Sequence, residues 1–143
     1  MLITRETDYA LRMLRVLLDG EKHSAAEMAE TELIPMQFAY QILRKLSAGE
    51  LVQVSRGAAG GCRLSCDLRG VSLYDLMGVM GERGVLCACM EPGYECRWQD
   101  AHGRCAIHCQ LAALQQKQDE AFRAVSLRRL LSGGSDPQKR SEL

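Results

Sequence analysis

Apolar residues recur at helical spacing in the first part of the chain and predict three helices. Residues 4–19 carry an apolar stripe that Gly20 can end. A serine–glutamate capping box over residues 24–27 opens a short second helix that runs to about Thr31. Pro35 suits the first turn of a third helix, because proline lacks the amide hydrogen that this turn leaves unbonded.

The third helix separates apolar from polar positions. Phe38, Ile42 and Leu46 fall at four-residue spacing and are expected to face the core. The opposite side carries polar, basic and aromatic side chains, namely Gln37, Tyr40, Gln41, Arg44 and Lys45. This pattern predicts a helix with one face in the core and one rich in hydrogen-bonding groups.

Alternation of apolar and polar residues over 51–55 and 62–65 predicts two strands. Between them residues 57–61 read Gly-Ala-Ala-Gly-Gly, which is typical of a hairpin tip. Another helix is predicted from Ser72 to about Gly81. Helix, short helix, helix and hairpin is the order of a winged helix-turn-helix, so we expect a mainly α fold with a small β-hairpin wing and a long C-terminal helix.

The second half of the chain changes in character. Clear periodicity is absent from residues 83–109, which hold five of the seven cysteines and are predicted to be a loop. Helical spacing then returns and predicts one amphipathic helix, assigned to residues 110–132. The glycine-rich residues 133–143 are predicted to be a disordered tail. The DNA-binding domain is accordingly assigned to residues 1–82.

Composition and charge narrow the class of protein. The 143 residues suit one compact domain with a few appended elements. The net charge is zero, with 18 basic and 18 acidic side chains, so the chain lacks the basic surplus common in nucleic-acid binders. Basic charge is nevertheless concentrated within residues 44–63. No apolar run approaches the roughly 18 residues that span a bilayer, and we expect a cytoplasmic protein that does not contact a membrane.

Several side chains suit contact with double-stranded DNA. A helix fits the major groove, where amide and guanidinium groups pair with base edges, while lysine and a hairpin-tip arginine suit phosphates. The predicted contacts are Gln37, Tyr40, Gln41, Arg44, Lys45, Arg56 and Gly57. The alternative is that these residues form an ordinary solvated helix face.

The chain resembles the Rrf-two family of bacterial winged-helix transcriptional regulators, which includes IscR-like and NsrR-like proteins. The resemblance rests on MLITRETDYALRML, SAAEMAE and IPMQFAYQILRKLSAGELVQVSRGAAGGCRLS, and its most specific piece is Arg56-Gly57 followed by Gly60-Gly61. It covers residues 1–82 closely and the cysteine segment more loosely. It implies a homodimer that binds a DNA operator, with the C-terminal helix packed against the partner. Cys62 stands where the family usually has an aromatic residue, which we interpret as tolerated packing.

The cysteines favour a metal site or thiol chemistry over disulfides, since the expected compartment is reducing and their number is odd. Cluster-binding members of the family carry three cysteines in this segment and end it with a Cys-x-x-His motif, which Cys105 and His108 match. The resemblance therefore implies that Cys89, Cys96 and Cys105 bind an iron–sulfur cluster, [2Fe-2S] or [4Fe-4S], although their gaps are longer and less even than in the family.

The fourth ligand stays open between two residues. His108 follows Cys105 by three positions, and Asp8 matches an aspartate that the partner subunit supplies in the nitric-oxide-sensing branch of the family. Cys87 and Cys109 are extra thiols, and either could replace one of the three cysteine ligands. Cys62 and Cys66, outside the segment, are interpreted as small buried apolar residues.

The resulting hypothesis is a transcriptional regulator whose operator affinity depends on a cluster that senses redox state, nitric oxide or iron–sulfur status. The alternatives are a cluster-free repressor, a structural zinc site, thiols that react directly with oxidants, and an iron–sulfur redox protein. A zinc site is disfavoured because the segment contains no C-x-x-C pair. No serine–histidine constellation or nucleotide-binding loop is recognisable, so an enzyme is not expected.

Overall fold

The structure, a computed structural model, describes residues 2–133 as seven α-helices and one antiparallel hairpin. The elements are α1 (Arg5–Val16), α2 (Ala25–Thr31), α3 (Met36–Ala48), β1 (Val52–Ser55), β2 (Gly61–Leu64), α4 (Leu73–Met80), α5 (Arg97–His102), α6 (Ala106–Arg123) and α7 (Leu127–Leu131). Short 3-10 turns cover Leu17–Asp19 and Ala88–Met90. The winged helix-turn-helix expected from the sequence is confirmed. Within this described part of the chain, no helix has both the length and the apolar character to cross a membrane.

The predicted helix boundaries follow local capping chemistry. The Ser24 hydroxyl accepts the Glu27 amide at 3.1 Å and the Glu27 carboxylate accepts the Ser24 amide at 2.8 Å, which confirms the capping box. Gly20 ends the first helical segment with a φ of 80°, which a glycine adopts without strain. Pro35 lies immediately before α3, one position earlier than predicted.

The wing is closed against the segment that precedes α2. Its register pairs Val52 with Leu64 and Val54 with Cys62. The amide of His23 donates to the Cys62 carbonyl at 2.9 Å, and the Cys62 amide donates to the His23 carbonyl at 2.7 Å. A Cβ on Gly61 would lie 3.0 Å from the His23 carbonyl oxygen and 2.7 Å from a Lys22 side-chain carbon, so this approach requires glycine.

The hydrophobic core lies between α1, α3 and α4 and includes one residue of α7. Helix α3 contributes the buried face expected from its periodicity, with Ile42 and Leu46 inaccessible to solvent, while Phe38 is half-buried. The largest fully buried side chains are Met13, Leu14, Leu17, Met28, Ile42, Leu46, Leu68, Leu76, Leu127 and Thr7. This core supports α3 from beneath and leaves its opposite face to solvent.

The predicted loop over residues 83–109 is wrong in part, because it contains the 3-10 turn and α5, and α6 already begins at Ala106. The residues of α5 are mostly exposed, so no buried stripe marks this helix in the sequence. Cys105 precedes α6, and its sulfur accepts the His108 amide at 3.4 Å.

The single helix predicted over residues 110–132 is also wrong, because α6 ends at Arg123 and α7 follows. The hydroxyl of Ser126 accepts the Arg129 amide at 3.3 Å and starts the new helix. The Leu127 amide donates to the Val71 carbonyl at 2.8 Å, which returns the chain to the winged domain. Of the predicted tail, only Gly133 is described, and residues 134–143 lie outside the described residues.

Candidate functional site

The polar face predicted for α3 is present on the surface. Gln37, Tyr40, Gln41 and Arg44 are exposed, with Tyr40 61% accessible, while the opposite residues of the helix are buried. The helix is held in this orientation because its buried face packs against α1, α2 and α4. Four of the five predicted α3 contacts therefore share one accessible face.

A cleft of about 860 Å³ separates this face from the wing. Tyr40 and Arg44 line it from α3, and Ser55 and Gly57 line it from the hairpin. Arg56 is exposed at the hairpin tip. The arrangement brings a polar helix and a glycine-rich hairpin to the same side of the molecule, where both can contact one extended polyanion.

Lys45 differs from the other predicted DNA contacts. Its ammonium group forms an ion pair with Glu6 of α1 and donates to the carbonyl of Met80 at 3.3 Å. These two partners hold the Lys45 side chain against α1 and the end of α4. The structure therefore assigns Lys45 to interhelical contact, where phosphate binding would have to compete with an acidic partner.

Two cysteines of the cysteine segment contact His108, one at its imidazole and one at its backbone amide, and a third cysteine contacts the first of these. The Cys89 sulfur lies 3.3 Å from His108 Nδ1, and the Cys105 sulfur accepts the His108 backbone amide at 3.4 Å. Cys87 is the other neighbour of Cys89, with 3.5 Å between the two sulfur atoms. The 3-10 turn and the first turn of α6 thus meet and bring soft metal ligands together.

The thiols of Cys87 and Cys89 shift each other's pKa. The hydrogen bond with Cys87 raises the pKa of the Cys89 thiol, and partial removal from water and the negative charges of Cys87, Cys96 and Cys105 raise it further. The pKa of Cys87 is lowered, chiefly because the backbone amide of Cys89 donates to its sulfur, and also because of the Cys89 thiol. Cys96 and Cys105 are therefore close enough to act on Cys89 through their charge.

The remaining candidate ligands have other partners. Asp8 forms a salt bridge of 2.8 Å with Arg12, and within residues 2–133 no hydrogen bond or ion pair joins it to a cysteine. The Cys109 sulfur accepts a hydrogen bond from Arg104 at 3.2 Å. No three His, Cys, Asp or Glu side chains of the described chain are arranged to hold a single metal ion. The thiols and imidazole fit an iron–sulfur cluster by ligand chemistry, and a cluster distributes its ligands over more than one iron.

Hydrogen bonds connect the start of the cysteine segment to α1 and to α6. The carboxylate of Glu82 accepts from the hydroxyls of Thr4 and Thr7, which tethers the segment to α1. The Leu86 amide donates to the Gln115 side-chain oxygen at 2.7 Å, which tethers the segment to α6. These contacts lie just before the first cysteine, so they link its position to that of the winged domain.

Sequence reasoning missed Glu82 and Gln115 because no local pattern distinguishes them from other polar residues. Tyr74 belongs with them, since the guanidinium groups of Arg83 and Arg123 lie over its ring, 4.2 Å and 3.9 Å from the ring centroid. These contacts join α4 to α6 and to the residues after α4. Their partners are distant in sequence, so only the folded chain reveals them.

Comparison with known proteins places the chain among bacterial regulators. The sequence model of the Rrf2 family, described as an iron-dependent transcriptional regulator, matches residues 3–133. Protein aau3 of Rhizobium meliloti (strain 1021) is 33% identical over 106 residues, which make up 72% of this chain and 69% of that protein.

Solved structures with similar folds come from the same group. IscR of T. potens superposes with a TM-score of 0.68 at 15% identity, covering all of this chain and 94% of that one. CymR, described as the global cysteine regulator of B. subtilis, gives a TM-score of 0.67 at 18% identity, covering 93% of this chain and 98% of that one. At these identities the superpositions establish a shared fold.

The winged helix-turn-helix, the exposed polar face of α3 and the family match agree with one another. The match spans nearly every described residue, and members of this family regulate transcription and are not enzymes. The chain therefore belongs to the Rrf2 family of winged-helix, DNA-binding transcriptional regulators.

Proposed function

We propose that the chain regulates transcription through an iron–sulfur cluster bound by Cys89, Cys96 and Cys105, with His108 as the fourth ligand, and that the cluster controls its affinity for an operator. The observation that carries this proposal is the 3.3 Å distance between the Cys89 sulfur and His108 Nδ1. The description of the family as iron-dependent supports iron over zinc. When bound, such a cluster supplies a centre that changes oxidation state or is lost.

His108 is favoured over Asp8 because of their different surroundings. The His108 imidazole is already within contact distance of one proposed ligand, and its backbone amide donates to Cys105. Asp8 is paired with Arg12 and would have to leave that partner to bind iron. The Asp8 carboxylate of a second copy of the chain is the competing fourth ligand.

The proposed DNA contacts fall into two chemical groups, one on the exposed face of α3 and one on the wing. Gln37, Gln41 and Arg44 are exposed groups suited to base edges in the major groove, with Tyr40 beside them. Arg56 and the backbone at Gly57 lie at the wing, where they suit phosphates or a neighbouring groove. The first set would select sequence, and the second would contribute affinity that falls as salt is added.

Movement of the cysteine segment would reach α3 through direct contacts. Glu82 hydrogen bonds to the beginning of α1, and Lys45 of α3 is bonded both to Glu6 of α1 and to the Met80 carbonyl, two residues before Glu82. A displacement of residues 82–86 would therefore shift the residues that hold α3, the proposed DNA-recognition helix, in place. This linkage requires only that DNA binds the chain with different affinity in the two conformations of the cysteine segment.

The proposed assembly is a homodimer in which α6 packs against its partner. Ile107 and Leu114 of α6 are 70% and 54% exposed, and they lie seven residues apart on one side of the helix. Contacts between these residues in two copies of the chain would place the two α3 helices at a fixed separation. A small change in that separation would mismatch operator half-sites spaced by one turn of DNA.

The proposal is tested by purifying the full chain without oxygen and measuring its absorption spectrum, iron and acid-labile sulfide. We expect iron and sulfide in the protein, loss of both in single alanine variants of Cys89, Cys96 and Cys105, and weakened retention in His108→Ala. Cys66→Ala is the matched control, since Cys66 lies outside the segment and its thiol is near the Leu51 carbonyl.

DNA binding provides the second measurement, using an operator selected from a pool of random duplexes. The operator affinity of the loaded and cluster-free chains should differ, and this difference should disappear in Cys89→Ala. Zinc in place of iron and sulfide would support the structural zinc alternative. Protein that contains no metal, and whose affinity is unchanged by oxidation, would overturn the sensing half of the proposal.

A further inference from the structure

The thiols of Cys87 and Cys89 form a close pair. Their sulfur atoms are 3.5 Å apart, with only Ala88 between the two residues in sequence, and both cysteines are free. The 3-10 turn over Ala88–Met90 curves the backbone around them, and the Met90 amide donates to the Cys87 carbonyl at 2.9 Å. Among all the cysteines of the chain, which lie within the described residues, no other two thiols are at hydrogen-bonding distance.

Both members of the pair are half-buried and therefore accessible to a small reagent. The other cysteines have different surroundings. Cys62 is almost fully buried under the wing, and the Cys109 sulfur is bonded to Arg104. An oxidant that reached the cysteine segment would thus meet two sulfur atoms only 3.5 Å apart.

We propose that Cys87 and Cys89 form a reversible disulfide when the cluster is absent and a hydroperoxide is present. This inference rests on the proposed function, because the disulfide would remove Cys89 from the proposed ligand set. Cys87 then has a role distinct from that of a ligand, as the partner that protects Cys89 from irreversible oxidation. The oxidised chain would be unable to take up iron and sulfide until a thiol reduced it.

The reaction balances with one hydroperoxide for each pair of thiols. The sulfur of one cysteine attacks the O–O bond, which breaks to give a sulfenic acid, and the leaving oxygen departs as an alcohol or water with the thiol proton. The sulfur of the second cysteine attacks the sulfenic sulfur, and the S–O bond breaks. The S–S bond forms, and the hydroxyl leaves as water with the second thiol proton. Both sulfurs are oxidised and the peroxide is reduced.

The reaction is tested on the full-length, cluster-free chain treated with hydrogen peroxide. We expect the loss of two free thiols and a peptide containing residues 84–97 that is lighter by two hydrogens, with tandem mass spectrometry locating the bond between Cys87 and Cys89. Chain loaded with iron and sulfide should be protected. A bond from Cys89 to Cys96 or Cys105, or no bond, would overturn the proposal.

Two variants separate the role of Cys87 from a general loss of the fold. After peroxide, wild-type chain and the Cys66→Ser control should regain full iron and sulfide uptake on treatment with dithiothreitol. Cys87→Ser should bind iron and sulfide before oxidation but lose uptake permanently after it, because Cys89 is oxidised beyond the sulfenic acid. Equal recovery of Cys87→Ser and wild type would contradict the role of Cys87.

Failure of this inference is distinguishable from failure of the proposed function. The disulfide is detected by mass in protein that contains no iron, so it can form even in a chain that never binds a cluster. Conversely, if the anaerobically purified protein contained iron and sulfide but its cluster-free form gave no disulfide with peroxide, the proposed function would stand and only the dithiol reaction would be overturned.

Discussion

Thr7 of α1 is completely buried and donates its hydroxyl hydrogen bond to the carboxylate of Glu82, 75 residues further along the chain. It is a polar side chain within an otherwise apolar core, and Glu82 satisfies its hydroxyl. The same carboxylate accepts from Thr4 at the start of α1. One acidic residue therefore holds the first helix and the entry to the cysteine segment together.

Thr7→Val should lower the free energy of unfolding by about 1–3 kcal/mol, because valine keeps the shape but leaves the Glu82 carboxylate with one fewer donor. Urea unfolding measures this change. Thr31→Val is the matched control, since Thr31 is exposed, and it should change stability by less than about 0.5 kcal/mol. If the two variants were equal, the bond to Glu82 would contribute nothing to stability. A double-mutant cycle that combines Thr7→Val with Glu82→Ala isolates the interaction energy between the two side chains.

Alanine variants of Arg56 and Lys45 should differ in how strongly their affinity for a random-sequence duplex depends on salt concentration. Arg56→Ala should reduce the slope of log affinity against log salt by about 0.9, as expected for loss of one phosphate contact. Lys45→Ala should leave the slope unchanged, because its ammonium group is paired with Glu6 and the Met80 carbonyl. A reduced slope in Lys45→Ala would return this residue to the DNA-binding surface.

Leu33, in the turn between α2 and α3, has a φ of 55° and is 85% exposed. The Cβ of an L-residue comes too close to the following carbonyl oxygen in this left-handed conformation, and asparagine tolerates it better than leucine because its short polar side chain can hydrogen-bond locally. Leu33→Asn should therefore raise the free energy of unfolding by about 1 kcal/mol. Thermal unfolding checks this, with Leu2→Asn as a control that is exposed but lacks positive φ. A lower melting temperature for Leu33→Asn would indicate that Leu33 is stabilised by contacts.

Alanine substitutions at Leu127 and Leu130 test whether α7 packs into the core of the winged domain. Leu127 is fully buried in the core, whereas Leu130 of the same helix is 41% exposed. Leu127→Ala should lower the free energy of unfolding by about 2–5 kcal/mol, and Leu130→Ala by less than about 1 kcal/mol. Chemical unfolding of both variants provides the comparison. Similar small losses would mean that α7 is not part of the core.

The fold was largely predictable because the first 82 residues signal their structure locally. The Ser24 capping box, the four-residue spacing on α3 and the glycines of the wing each involve residues close in sequence. The cysteine segment was less predictable for the opposite reason. Helix α5 buries no stripe, and the break after Arg123 depends on a backbone bond between Leu127 and Val71.

The candidate site divides in the same way. The residue types on α3 indicated DNA, and the cysteine content indicated metal or thiol chemistry. Lys45 was grouped with its exposed neighbours because helical spacing cannot show that Glu6 and Met80 lie beside it. The contact of Cys89 with His108 joins residues 19 positions apart, one in the 3-10 turn and the other in α6 beyond α5, so no spacing rule contains it.

The amino-acid order alone therefore determined the winged helix-turn-helix, the polar face of α3 and the presence of soft ligands in one segment, since these depend on interactions within a few residues. Only the tertiary structure decided that Glu82 binds α1, that Cys89 lies between Cys87 and His108, and that Leu127 enters the core. Such contacts form between residues distant in sequence, and their geometry follows from the packing of whole helices rather than from any local preference.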